Sequence, residues 1–167
     1  MSVQEHKSYA PASVRCFVLT VSDTRTEATD TGGAAIRELL ESAGHVVTGA
    51  AIVRDDPEAV TVTVARQLAD AATQVIVTTG GTGITSRDGT FEAIDRLLEK
   101  RLTGFGELFR MLSFEQIGPA AMMSRAVAGT VNGKAIFVLP GLPNAVRLAM
   151  TKLILPELGH VVQQLSR

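Results

Sequence analysis

The stretch VIVTTGGTGITSRDGT, Val75 to Thr90, decides the fold. It starts as a short apolar run of β-branched residues and ends in glycines and hydroxyl residues, with Arg87 and Asp88 near its far end. The first half suits a buried strand, expected over 74–79. The second half suits a loop that opens directly from the strand's carboxyl end. On the N-terminal side, Val14 to Val21 (VRCFVLTV) is another buried-strand pattern, and it too ends in a polar loop, SDTRTEATDTGG. Asp30 and Thr31 are candidate caps for a helix from about Gly33 to Ala43, closed by Gly44. His45 to Val53 reads as a further strand. In RDDPEAV, Asp56 can cap a helix whose first turn takes Pro57 and which runs to about Ala71.

On the C-terminal side, Thr90 is expected to cap a helix that buries Phe91, Ile94, Leu97 and Leu98. GFGELFRMLSFEQIG is expected to form a separate helix with Phe105, Leu108, Phe109 and Leu112 inside. Asn132-Gly133 lies between two β-type runs, which is a two-residue hairpin signal. The second run leads into LPGLPNAV and a final helix from near Asn144, which Pro156 kinks or divides. Strands alternating with helices predict an α/β three-layer sandwich: a mostly parallel central sheet, helices on both faces and a local antiparallel β-hairpin. Residues 1–13 read as a flexible or oligomer-contacting tail, and 14–167 as a single domain.

Composition narrows the function. The chain has 167 residues, 46% hydrophobic but only 4% aromatic and without tryptophan, so its core is aliphatic and alanine-rich. A net charge of −1 without a dense Lys/Arg block argues against a general nucleic-acid binder. The single cysteine, Cys16, rules out an intramolecular disulfide and a multi-cysteine metal site, and its apolar surroundings suit a buried thiol. No apolar run nears the ~20 residues that span a bilayer, and the N-terminus lacks a signal-peptide core. A soluble cytoplasmic protein is expected. His6, His45 and His160 have no metal-like spacing and read as structural or exposed. Ser22, Ser86 and Ser124 lack a G-x-S-x-G elbow. Met122 and Met123 read as core or interface packing.

In open α/β sheets, ligands bind beyond the carboxyl ends of the strands. Four polar loops leave strand ends here: SDTRT, RDDPE, GGTGITSRDGT and PGLPN. Gly80, Gly81 and Gly83 permit positive φ and close backbone approach, and successive N–H groups can form an anion nest. Thr79, Thr82, Thr85 and Ser86 add hydroxyls. The spacing matches neither the nucleotide P-loop nor G-x-G-x-x-G. Asp23, Asp55, Asp56 and Asp88 close the same loops. Carboxylates facing a bound phosphate repel it unless a divalent cation lies between, and magnesium binds through one or two carboxylates plus phosphates. A magnesium nucleotide is therefore the expected ligand. Each aspartate also has a structural reading: Asp56 as a helix cap, Asp23 as a turn residue. Asp88 is the best placed for function, because Thr90 offers the next helix its own cap.

TTGGTGITSRDGT resembles the signature of the molybdenum cofactor biosynthesis proteins of the MoaB/MogA type. VSDTRTEATDTGG resembles their first loop and helix start, GFGELFRMLSFEQIGPAAMMSRAVAGTVNGK the MoaB branch, and LPGLPNAV the family's proline-glycine loop. After the proline-glycine pair, GLPNAV is closer to the adenylylating branch than to MoaB. The resemblance implies molybdopterin and ATP as substrates and Mg2+ as cofactor: AMP is transferred to the terminal phosphate of molybdopterin and pyrophosphate leaves. It implies that Gly80, Gly81, Thr82 and Gly83, with Thr79, hold phosphate. Asp88 matches an essential aspartate that positions magnesium or the reacting phosphate. Asp55 or Asp56 matches a second acidic position, with Asp55 the second candidate metal ligand. Ser22 and Asp23 line the mouth, and Glu107, Ser124 and Pro140, Gly141, Pro143 and Asn144 complete the wall. It further implies a homo-oligomer, a trimer or a hexamer, other molybdenum cofactor pathway proteins as partners, and no nucleic acid or membrane. A non-catalytic molybdopterin-binding or assembly protein is the competing reading. An unrelated phosphate-binding domain explains the glycine loop but not the other matches.

Overall fold

The computed structural model describes residues 2–167, apart from the side chain of His6, whose reading therefore lies outside the described residues. Six strands form one sheet in the order β2-β1-β3-β6-β5-β4. They are β1 (Arg15–Val21), β2 (Val46–Val53), β3 (Val75–Thr79), β4 (Lys100–Arg101), β5 (Val127–Val131) and β6 (Lys134–Leu139). The four strands β2, β1, β3 and β6 run parallel, while β5 pairs antiparallel with β6 and with β4. The three-layer sandwich with a mostly parallel sheet is thus the observed fold. The hairpin turn falls at Asn132 and Gly133, both left-handed with φ of 50° and 72°, as a two-residue turn between twisted strands requires.

The helices are α1 (Val3–Ser8), α2 (Thr31–Ser42), α3 (Pro57–Ala69), α4 (Thr90–Asp95), α5 (Thr103–Ile117), α6 (Pro143–Ala149) and α7 (Leu155–Leu165). A 3-10 segment, Gly118–Met123, follows α5, and a π segment, Met150–Ile154, joins α6 to α7. Side chains alternate across β1. Cys16 and Val18 face a core shared with α2, α5, α6 and α7, containing Ile36, Phe109 and Leu158. Phe17, Leu19 and Val21 face a second core with α3 and α4, containing Val64 and Ile94. Phe105 stands edge-on to Phe137 with ring centroids 5.4 Å apart, a favoured aromatic arrangement. Cys16 is fully buried, and burial pushes its thiol pKa up to about 12.

The boundaries follow local chemistry. The Asp30 carboxylate accepts the Gly33 N–H and caps α2. Asp56 accepts the Ala59 N–H and caps α3, with Pro57 at the first position. The structure departs from expectation at Thr90 and Leu108, and adds β4 and α1. Gly89, not Thr90, holds the cap position of α4, and Thr90 is its first, fully buried residue. Leu108 is 47% exposed, because α5 turns Phe105 and Phe109 inward and carries a second apolar stripe outward. Two-residue β4 has no signature in the sequence, since so short an edge strand has no periodicity. Within the segment read as a tail, residues 3–8 form α1. Its Ser2 and Glu5 make a capping box, and Lys7 ion-pairs with Glu157 on α7.

Candidate functional site

Because β1, β2, β3 and β6 are parallel, their carboxyl ends lie along one edge of the sheet, and their loops meet there. The Ser22 N–H donates to Val53 O at 2.9 Å, and the Gly80 N–H to Leu139 O at 3.1 Å. These bonds tie the loops in pairs, β1 with β2 and β3 with β6. The Thr79 hydroxyl donates to Pro140 O at 2.9 Å. Gly80 has φ +94°, and a Cβ there would stand 2.2 Å from Val21 O. Only glycine lets the loop leave β3 this close to β1. Gly81 has φ +67°, and its Cβ would meet the Thr90 hydroxyl at 2.0 Å and Asp55 Oδ1 at 3.1 Å.

The aspartates separate into distinct roles. Asp88 is held by its own loop: the Thr85 N–H and hydroxyl donate to Oδ2 at 2.9 and 2.6 Å. The Thr85 hydroxyl, then the backbone donors of Thr85 and Gly83, keep the Asp88 carboxyl below its ordinary range despite partial burial. The nest predicted for an external anion is therefore partly filled by the chain's own carboxylate. Asp55 accepts the Gly89 N–H at 3.4 Å. Burial raises the pKa of Asp55, and the charges of Asp88 and Asp23 add to the rise, against the Gly89 hydrogen bond and Arg87. Asp23 bridges two loops: Oδ1 accepts the Asp55 N–H at 3.1 Å, and Oδ2 pairs with Arg87 at 2.6 Å. Asp56 spends its carboxylate on the α3 cap. Asp23, Arg54, Asp55, Asp56 and Arg87 line a cleft of about 560 Å³.

The remaining candidates do not line this cleft. Ser22 accepts the N–H groups of Thr24 and Arg25 at 3.2 and 3.1 Å. With Thr79, Gly80 and Gly141 it lines a small cavity of about 90 Å³. Pro143 and Asn144 line an apolar groove of about 370 Å³ beside α5. Ser124 lines another cavity, of about 400 Å³, next to Arg110 and Phe91. Glu107 is exposed and lines none of these cavities. In the glycine loop, the Gly80 N–H is spent in the sheet, while those of Gly81 and Thr82 have no acceptor among the described residues.

Arg125 was missed by the sequence reading. Its Nε donates to Thr82 O at 3.0 Å, and its other nitrogens reach Gly83 O and Glu92. The guanidinium also lies 5.1 Å from the centroid of the Phe91 ring, within cation–π range. It clamps the glycine loop from a distance of about forty residues in sequence. A lone arginine beside a hairpin carries no local signal of such a role.

The donor set suits a hard cation. Asp55 and Asp88 stand on either side of the Gly81–Gly83 turn, and the buried Thr90 hydroxyl beside Asp55 has no hydrogen-bond partner. Among the described residues no three carboxylate, histidine or cysteine groups gather into a protein-only metal cage. Magnesium characteristically takes one or two carboxylates and completes its shell from phosphate and water.

A parallel sheet that gathers a glycine cradle and aspartates beyond its strand ends is a ligand-binding domain of the doubly wound α/β class. The model of the MoCF_biosynth family, "Probable molybdopterin binding domain", matches residues 17–160, and the chain belongs to this family. It is 54% identical to molybdenum cofactor biosynthesis protein B of Bacillus cereus over 168 aligned positions, covering 100% of this chain and 99% of that protein. A crystal structure of a molybdenum cofactor biosynthesis protein B superposes with a TM-score of 0.92 at 53% identity, covering 95% of this chain and 99% of that one. The tungsten cofactor synthesizing protein MoaB of Pyrococcus furiosus gives 0.85 at 36% identity, covering 95% and 100%. No helix of the described residues is long and apolar enough to cross a membrane.

Proposed function

We propose that this chain acts in molybdenum cofactor biosynthesis as a cytoplasmic molybdopterin adenylyltransferase. The terminal phosphate of molybdopterin attacks the α-phosphorus of ATP, the bond to the bridging oxygen breaks, and pyrophosphate leaves. The observation that carries this reading is the packing of Asp55 against Gly81 and of Asp88 against Gly83, with Asp55 also lining a cleft beside Asp23 and Arg87. Family membership and the relatives' names support the pathway.

The protein's own residues supply position and charge, which dominate transfers of this type. Asp55 and Asp88 would hold magnesium. Bound there, magnesium neutralises phosphate charge. The N–H groups of Gly81 and Thr82 point the loop's remaining donors at phosphate. Thr85 fixes Asp88 in its ionised form, and Arg125 keeps the loop from opening. The groove beside Pro143 and Asn144 offers an apolar wall with a few polar groups, suited to a flat heterocycle.

The protein works as a homo-oligomer, a trimer or a hexamer. Met111, Phe114, Ile117, Met122 and Met123 are each more than half exposed along α5 and the segment after it. An apolar stripe of this kind marks a contact surface. Light scattering on the purified protein tests the assembly, and a monomer refutes it. Pyrophosphate release from Mg-ATP and molybdopterin tests the chemistry, comparing wild type with Asp88→Asn. Turnover by the wild type and loss of at least about a hundredfold in the variant, with pterin binding retained, is expected. Tight pterin binding without wild-type turnover would leave a binding or assembly protein instead.

A further inference from the structure

We infer that Arg87 is the phosphate-binding residue of the acidic cleft, and that Asp23 occupies it until a di- or triphosphate takes its place. The inference rests on the nucleotide reading above and goes beyond it by assigning a residue and an exchange.

The geometry is that of an exchangeable pair. Arg87 Nη2 lies 2.6 Å from Asp23 Oδ2, with the arginine side chain 72% exposed. An ion pair this open contributes little to stability, and salt and competing anions dissolve it readily. Asp23 does not depend on Arg87 for its position, because its other oxygen accepts the Asp55 N–H at 3.1 Å. Arg87 does not depend on Asp23 either, since its backbone belongs to the loop closed by Thr85 and Asp88. Each partner stays in place when the pair opens.

The cleft is lined by two guanidiniums and three carboxylates. Arg54, the second guanidinium, is exposed and makes no ion pair among the described residues. Carboxylates alone repel phosphate, and arginines alone would accept any anion. Together they select an anion that carries its own divalent cation. A guanidinium fork matches two phosphate oxygens better than it matches one carboxylate oxygen. When phosphate takes the Arg87 fork, Asp23 is released beside Asp55 and Asp88, on the side where a cation is needed. A single exchange therefore sorts the charges of the cleft. A pyrophosphate unit has oxygens enough for both guanidiniums of the cleft, so it is the favoured ligand.

Calorimetric binding of inorganic pyrophosphate to the full chain tests this, once with excess Mg2+ and once in chelator. Arg87→Ala should weaken Mg-pyrophosphate binding by about tenfold or more, and Arg87→Lys by less, because lysine keeps the charge without the fork. Asp23→Asn removes the internal competitor, so metal-free pyrophosphate should bind about two- to fivefold more tightly than to wild type. A far-ultraviolet melt confirms that each variant is folded. If Arg87→Ala binds like wild type, the exchange is refuted while the nucleotide reading stands. If Arg87→Ala and Asp23→Asn both weaken metal-free binding alike, the pair only ties two loops together and the exchange is again refuted. If wild type binds no pyrophosphate in either condition, both readings fall. If binding follows the expected pattern but no AMP is transferred, the exchange stands and only the adenylylation reading is lost.

Discussion

Gly81→Ala is the sharpest test of the glycine cradle. Gly81 has φ +67°, where an L-residue costs about 1–2 kcal/mol. The new Cβ would also stand 2.0 Å from the Thr90 hydroxyl and 3.1 Å from Asp55 Oδ1. Thr90 is fully buried, so it cannot swing away, and overpacking of this kind adds about 1–3 kcal/mol. The total of about 2–5 kcal/mol corresponds to a Tm lowered by about 4–20 °C in a domain of this size. Gly44→Ala is the matched control. Its φ is +86°, but nothing lies within 4 Å of the added methyl. Only the backbone cost applies, a Tm lowered by about 2–8 °C. Differential scanning calorimetry on both variants isolates the crowding. Adding Thr90→Ala to Gly81→Ala should recover part of the loss, a non-additivity expected of residues in contact. If the two glycine variants melt together, the cradle is not packed as described.

Asp56→Ala should cost about 0.5–2 kcal/mol in urea denaturation through the lost α3 cap, yet leave Mg-ATP binding intact. Asp55→Ala should abolish that binding, and equal binding losses in the two variants would refute the division of roles. Cys16 gives a pH test. Its thiol pKa rises from 9.0 to about 12 on burial. Above pH 9 the unfolded chain releases this proton while the native chain keeps it. The stability contribution is therefore complete below about pH 9 and declines as pH climbs toward 12. Urea midpoints between pH 8 and 11 should fall more steeply for wild type than for Cys16→Ala. Parallel slopes would sink this account.

Much of the fold was legible because its elements announce themselves locally. Cys16–Val21 and Val75–Thr79 are buried on both faces, so they read as nearly continuous apolar runs. Asn132-Gly133 fixed the hairpin because few other pairs accept two positive φ values in succession. Asp56 followed by Pro57 marked the start of α3. What failed had competing or distant causes. α5 carries two apolar stripes, and periodicity alone cannot say which one meets the core, so Leu108 was placed inside. Thr90 looked like a cap, but Gly89 reaches that position first and sends the threonine beneath the glycine loop. The site was legible as a set of loops. That the nest would close on Asp88, that Gly80 would spend its N–H in the sheet, and that Arg125 would clamp the loop all depend on contacts between segments far apart in sequence.

The π segment at Met150–Ile154 has a mechanical meaning. The Leu155 N–H reaches back five residues to Met150 O, and Pro156 follows immediately. The widened turn makes room for a ring that would otherwise collide with a carbonyl one turn earlier. It also acts as a phase adjuster. One extra residue in a turn of 3.6 rotates everything after it by about 100° about the axis. Upstream Val146 and Ala149 and downstream Leu158 and Val162 all pack into the same core. A single-residue deletion within 150–154 would leave a more regular helix in a less stable protein. It would turn Leu158 and Val162 out of the core, and with them the stretch of α7 on which Glu157 meets Lys7 of the N-terminal helix.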